Sequence, residues 1–201
     1  MINYDGLYKK DYYGDKLFEN HFSSKKLRFK IFENATILPH KPVAGTVGFG
    51  GIVDSKGNFI EESFVHHGIK EVYTPSEEIY TNNTAVIYLG MFVHIWGHCL
   101  TDSLKRIWFL QSDIYKTYFS KLPLVYVPMW MGIIKPFAKI LEILEVDVNR
   151  LIPITKPQKF NQIILPDESI FDIQGGAWVF SRIFGNNFAD KKFRSEKFFA
   201  T

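Results

Sequence analysis

From residue 85 onward the apolar residues change period several times, and this alternation constrains the fold more than any other feature of the chain. Ala85 to Gly90, AVIYLG, is a continuous apolar run with the length of a buried strand. From about Gly97 to Ser112, Leu100, Leu104, Ile107 and Trp108 recur at spacings of four, three and one, which predicts one apolar helix stripe. Pro123 to Pro128, PLVYVP, reads as a strand. Pro136 suits the first turn of a helix through Val146 that buries Phe137, Ile140, Leu141 and Leu144. Further strands are expected at Leu151–Ile154 and Gln162–Pro166, and a last helix from about Ala177 to Phe184, stopping near Gly185. Strand and helix in alternation produce parallel sheets with crossover helices. The expected fold class is therefore α/β: a Rossmann-like domain over residues 85–201, preceded by a β-rich N-terminal section.

That section spans residues 35–84 and follows an irregular lead-in, 1–34, rich in Tyr, Lys and Asp. Ala35–Pro39, Val47–Asp54 and Phe59–Val65 read as short strands. Asp54-Ser55-Lys56-Gly57, with Asn58 following, is a hairpin turn signal between the last two. Gly45, Gly48, Gly50 and Gly51 crowd the first arm. No Gly-Lys-Ser/Thr follows them and no helix opens after them, so they predict a strand bulge rather than a phosphate loop.

Composition removes several functions. A chain of 201 residues, 46% of them hydrophobic, can bury a core without disulfides or metal. The formal charge of +3 gives no reason to expect a nucleic-acid partner. The basic residues gather instead near the ends (Lys25, Lys26, Arg28 and Lys30; Lys191, Lys192, Arg194 and Lys197) and read as solvated surface. No window is long and apolar enough for a transmembrane segment. Met1–Lys10 lacks the apolar stretch of a secretory signal, so a cytoplasmic location is expected and the sequons at Asn34 and Asn82 carry no weight. The single cysteine, Cys99, supplies neither a disulfide nor a Cys-based zinc site.

Tyr88 to Leu110 is the richest stretch for chemistry. His94, His98, Asp102 and Arg106 each lie four residues from the next, so on a helix His98, Asp102 and Arg106 line one face. That face is polar, and Leu100, Leu104, Ile107 and Trp108 form the opposite one. Three readings stand side by side. In the first, His98 is a general base, Asp102 holds its tautomer, and Arg106 faces an anionic group. In the second, His94, His98 and Asp102 bind a metal, which requires His94 to be helical although Gly97 intervenes. In the third, His98 caps the helix and Asp102 pairs with Arg106, a purely structural arrangement. His66-His67-Gly68 reads as a surface loop, and Cys99 as a small buried apolar residue. Trp96 sits in the loop before the helix, where it could stack on a sugar.

HIWGHCLTDSLKRIWFL (His94 to Leu110) resembles the signature of family 61 glycosyltransferases, whose bacterial members carry a His-Trp-Gly-His-Phe-Leu-x-Asp-x-Leu-x-Arg-Leu-Trp type of motif. Trp96, Gly97, His98, Leu100, Asp102, Leu104, Arg106 and Trp108 match it; Cys99 replaces the usual aromatic, and Ile95 displaces His94 from the role its motif counterpart holds. The likeness continues in GGIVDSKGNFIEES (Gly50–Ser63), PLVYVP, LEILEVDVNRLIPI (Leu141–Ile154) and IILPDESI (Ile163–Ile170), so it covers roughly residues 35–170.

The resemblance implies an inverting transferase of the GT-B type, built from two Rossmann-like domains. Its substrates would be a nucleotide-sugar donor and a glycan acceptor in capsular or other surface polysaccharide synthesis, at the periphery of the inner membrane. It also implies metal-independent chemistry with no cofactor. His98 and Asp102 become the catalytic pair, and Trp96, Gly97 and Arg106 the substrate-binding residues. The family's second domain carries a His-Gly-Ala-containing motif and most nucleotide contacts, and it has no counterpart here. The expectation is an N-terminal, acceptor-side half that works with a C-terminal half-domain or as a homo-oligomer. The alternative is a non-catalytic carbohydrate-binding or assembly module on the same scaffold. An α/β hydrolase is set aside, because no Gly-x-Ser-x-Gly elbow is present.

Overall fold

The structure is a computed structural model that describes residues 22–23, 27–65, 68–93, 95, 98–129, 135–173 and 177–181. The chain forms two compact units, one from Met1–Leu27 with Ser169–Thr201 and one from Arg28–Glu168. In the first, β1 (Phe22–Ser23) runs parallel to β10 (Ala177–Ser181), which pairs antiparallel with β9 (Ile170–Ile173). Residues 177–181 are therefore a strand and not the start of the expected helix. AWVFS is rich in aromatic and β-branched side chains, and the ladder to β9 supplies its backbone partners. Residues 182–185 of that expectation lie outside the described residues.

The larger unit is one seven-stranded sheet in the order β4-β3-β2-β8-β5-β6-β7. Its strands are β2 (Phe29–Lys41), β3 (Phe49–Val53), β4 (Phe59–Ile60), β5 (Tyr80–Val93), β6 (Leu124–Met129), β7 (Leu151–Pro153) and β8 (Gln158–Pro166). β8, β5, β6 and β7 are mutually parallel, whereas β2 pairs antiparallel with both β3 and β8, and β3 with β4. The expected Rossmann-like fold, and with it the half of a GT-B enzyme, is overturned: this is a mixed sheet with few helices. Strand alternation after residue 85 foretold only the parallel portion. β2, which begins at Phe29, pairs directly with β8 and joins the antiparallel hairpin strands to the same sheet.

Among the described residues helix is sparse, and between Gly97 and Ser112 the reason is local. Lys135–Ile143 forms a regular helix, α1, close to the span expected there. The stretch expected as a helix from Gly97 to Ser112 instead contains a π turn at Cys99–Ser103 and a 3-10 turn at Ile107–Gln111. Val93, the last residue of β5, supplies the cause. Its N–H donates to Ser103 Oγ at 3.0 Å, and its carbonyl accepts from Cys99 Sγ at 2.7 Å. Two side chains of the turn thus satisfy a strand end, and short polar side chains that bind backbone in this way compete with regular helix.

The expected hairpin turn is present. Asp54 N–H donates to the Asn58 carbonyl at 2.9 Å, and Asp54 Oδ1 accepts from the N–H groups of Lys56 and Asn58 at 2.9 and 2.8 Å. In the glycine-rich arm, Gly51 has φ +104°, and a Cβ there would lie 2.7 Å from Ser63 Oγ. Ser63 Oγ accepts from Ile52 N–H, so the missing side chain lets a polar group reach the strand.

One face of the sheet buries Ala35, Ile37, Ile52, Val86, Tyr88, Met91, Val93, Val125, Val127, Phe160 and Ile163 in a single cluster with Phe64 and Val65. On the opposite face, Phe92 stacks on Tyr126 with ring centroids 4.6 Å apart and meets Phe137 of α1 edge-on at 5.2 Å. Tyr88 and Met91 share a face despite being three residues apart, because β5 slips register against β6 between them. Gly90 lies in this slip with φ +103°, a value that L side chains rarely adopt.

Candidate functional site

The π turn brings two of the expected site residues together. His98 Nδ1 lies 2.6 Å from Asp102 Oδ2, a short hydrogen bond to a carboxylate. The imidazole is half-exposed and Asp102 is 7% exposed, so the pair is a surface imidazole backed by a buried carboxylate. Arg106 does not join them on one face. The wider π turn and the bend at Arg106, with φ −107° and ψ −4°, carry its side chain elsewhere.

Arg106 is 3% exposed and points into the molecule. Its Nε donates to the Pro166 carbonyl at 3.0 Å, its Nη2 donates to the Glu62 carbonyl, and Nη2 also lies 3.1 Å from Glu168 Oε1. Trp108 does a related job two residues on: Nε1 donates to the Asp167 carbonyl at 2.8 Å. Two residues of the motif thus hold successive carbonyls where β8 ends. The guanidinium fits because β5 has a glycine beside it; a Cβ on Gly90 would lie 3.0 Å from Arg106 Nη1.

Between the His98–Asp102 pair and Arg106 stand two groups that the sequence reading passed over. Lys105, 3% exposed, has its Nζ 3.5 Å from Asp102 Oδ1 and 3.2 Å from Glu168 Oε2. Glu168 bridges that ammonium to Arg106. A chain of polar contacts therefore runs inward from His98, and from Asp102 through Lys105 and Glu168 to Arg106 its members alternate in charge. In sequence, Lys105 beside Arg106 looks like ordinary solvated charge, and Glu168 lies more than sixty residues away. The available signal was the IILPDESI segment, whose carboxylates had no assigned role.

Tyr88 lies behind this chain. It is fully buried, its hydroxyl has no hydrogen-bond partner among the described residues, and Arg106 and Glu168 both act on it electrostatically. Burial pushes its phenol well above the ordinary range. Burial likewise pushes the Cys99 thiol up, in keeping with its fully buried position and its bond to the Val93 carbonyl. At the rim, burial acts most strongly on the Glu62 carboxyl and pushes it up, but the hydrogen bond and charge of Lys30, its own backbone N–H and Arg106 together outweigh burial and leave the group below its usual value.

Trp96 and Gly97, expected to bind substrate, lie outside the described residues, as do His94, His66 and His67. Among the described residues no group of three or more His, Cys, Asp or Glu could hold a metal ion. No helix among them is long and apolar enough to cross a membrane.

A half-exposed imidazole on a buried carboxylate can accept a proton from a bound hydroxyl group, and the ionic chain behind it keeps that carboxylate in place. Comparison with known proteins adds no relative to this geometry: no family model, no curated protein and no solved structure matches the chain.

Proposed function

We propose that this chain is the acceptor-side part of a family 61-like glycosyltransferase, moving a sugar from a nucleotide-sugar donor to a glycan hydroxyl in surface or capsular polysaccharide synthesis. The observation that carries the reading is the 2.6 Å contact between His98 and Asp102, in the segment that resembles the family motif. His98 Nε2 takes the proton of the acceptor hydroxyl as that oxygen attacks the anomeric carbon. The bond from that carbon to the diphosphate breaks, and the electron pair leaves on the nucleoside diphosphate. Attack opposite the leaving group inverts the anomeric centre. Asp102 stabilises the imidazolium that forms, as a buried carboxylate does beside a catalytic histidine.

In this reading Arg106 and Trp108 keep the motif in register with the end of β8, while the donor nucleotide is held by a separate C-terminal partner domain. Work on a glycan acceptor of the cell surface assigns the chain to the cytoplasmic face of the inner membrane.

The test is a transfer assay with nucleotide-sugar donors and oligosaccharide acceptors, run on the chain alone and with a candidate C-terminal half. Released nucleoside diphosphate and extended glycan are both measured. Turnover that disappears in His98→Ala supports the proposal, and full turnover in that variant removes His98 as the base. Acceptor binding without turnover in any combination identifies a non-catalytic carbohydrate-binding module instead.

A further inference from the structure

We propose that the pocket formed by Glu33, Asn34, Ala85, Asn161 and Gln162 is a second glycan-binding site, which takes one neutral sugar unit through its hydroxyl groups. The use of the site, holding a glycan away from His98, rests on the proposed function; the binding itself does not.

The pocket opens where regular strands would close the sheet. β8 is the central strand of seven and runs parallel to β5, and parallel strands are ordinarily covered on both faces. In a regular strand, residues three apart lie on opposite faces. Phe160 and Ile163 nevertheless share the core cluster, and Phe32 packs against the cluster that holds Ala35. The residues between these pairs, Asn161 and Gln162 on β8 and Glu33 and Asn34 on β2, are all exposed. Asn34 absorbs the irregularity with φ +51°, a left-handed value that Asn adopts more readily than most residues. β5 bulges at the same level. Its Asn82 and Ala85 face Phe160 and Gln162, so Asn83 and Thr84 together oppose Asn161. Asn161 Nδ2 donates to the Asn83 carbonyl at 3.3 Å, and Thr84 Oγ1 donates to Asn82 Oδ1 at 3.0 Å, so side chains hold the bulge. Three adjacent strands thus break their regular pattern in one row, and bulges of this kind re-aim side chains beside functional sites.

The lining selects the ligand. The pocket has a volume of about 470 Å³, within the range of small-molecule sites. Glu33 and Gln162 are direct cross-strand partners, and the same register sets Asn34 opposite Asn161. One carboxylate and three amides therefore stand in two side-by-side pairs. A carboxylate with no cation among the described lining residues opposes a phosphate or other anion. One carboxylate is too few for a metal ion, and an amide lining gives an apolar molecule little to bury against. A sugar hydroxyl both donates and accepts hydrogen bonds; an amide supplies an acceptor and donors, and a carboxylate a strong acceptor. Two such groups side by side match neighbouring hydroxyls of one ring. Among the described residues no hydrogen bond or ion pair engages the side chains of Glu33, Asn34 or Gln162, so all three can turn to a ligand. Ala85 lies eight residues before Val93, about 25 Å along β5, and His98 lies beyond Val93. The two sites therefore hold different sugar units.

The experiment follows the side-chain amide signals of Asn34, Asn161 and Gln162 in the full chain by proton–nitrogen NMR. Glucose, galactose, mannose, rhamnose and N-acetylglucosamine are added one at a time, with inorganic phosphate as the control. At least one sugar is expected to move these signals to saturation, and phosphate to leave them in place. No response to any of the sugars overturns the proposal, as does an equal response to phosphate. Glu33→Ala and Gln162→Ala, both at exposed positions, are each expected to weaken that sugar about tenfold, the loss of a hydrogen bond. Unchanged affinity in the two folded variants overturns the proposal. Where either does not fold, Gln162→Glu is measured in its place and is expected to weaken binding, since it removes the N–H donors; unchanged affinity there also overturns it. His98→Ala is expected to bind as wild type does, and loss of binding in that variant places the sugar at His98 and overturns a second site. None of these readings needs a nucleotide-sugar donor, so failure of the transfer assay and failure of this proposal are separate results.

Discussion

Arg106 occupies the space that Gly90 leaves beside β5: a Cβ on Gly90 would sit 3.0 Å from Arg106 Nη1, and Gly90 has φ +103°. The glycine serves both demands at once, a backbone conformation closed to other residues and room for a buried cation. Gly90→Ala should therefore lower stability by about 2–4 kcal/mol, combining backbone strain with displacement of the guanidinium. Urea unfolding reads this as a fall in midpoint at constant slope. An unchanged midpoint would mean that Arg106 is not seated there.

Asp102 and His98 should separate activity from stability. His98 is half-exposed, so His98→Asn should change stability by no more than about 0.5 kcal/mol while lowering transfer about 10²–10⁴-fold. Asp102→Ala should also lower transfer. In addition it leaves Lys105 with one buried carboxylate partner fewer, so it should destabilise by about 3 kcal/mol, as breaking a buried ion pair does. Equal stability of the two variants in thermal unfolding would contradict the inward chain of charges.

Tyr88 carries a hydroxyl that is buried without a hydrogen-bond partner among the described residues. Tyr88→Phe should be neutral or more stable by up to about 1 kcal/mol at pH 7. Loss of more than that would reveal a partner for the hydroxyl. The phenol also predicts the alkaline limit. Folding raises it above the 10.0 of an exposed phenol, so above pH 10 the folded chain holds a proton that the unfolded chain has released. Its contribution is complete below pH 10 and declines as pH rises above that. Tyr73, pushed up to about 12 by burial and by Glu77, adds a loss of the same sign between pH 10 and 12. Unfolding midpoints should be insensitive to these two groups below pH 10 and fall beyond it, less steeply in Tyr88→Phe.

The two side chains that hold Val93 should differ in cost. Ser103→Ala leaves the buried Val93 N–H without its 3.0 Å acceptor, an expected loss of about 1–3 kcal/mol. Cys99→Ala removes only a weak S–H donor to the Val93 carbonyl, so its cost should be smaller. With its thiol buried and pushed up, Cys99 should react slowly with thiol reagents in the native protein and rapidly in denaturant. Fast native labelling would show that the turn opens readily.

The amino-acid sequence by itself determined several of the local elements and one contact. AVIYLG, all of PLVYVP after Pro123, and the segment at Gln162–Pro166 lie within strands β5, β6 and β8; Asp54–Asn58 is a turn; and Phe137, Ile140, Leu141 and Leu144 are buried at and just beyond α1. Period, turn chemistry and the four-residue spacing of His98 and Asp102 are short-range properties, so they survive being read without a fold. Tertiary structure alone decided the rest. Pairing of β2 with β8 made the sheet mixed, and no local pattern encodes which distant strand supplies a backbone partner. Val93 drew Ser103 and Cys99 to itself and replaced a regular helix by a π turn, which turned Arg106 away from His98. Lys105 and Glu168, sixty-three positions apart, became partners because a buried charge requires a counter-charge wherever the fold brings one near.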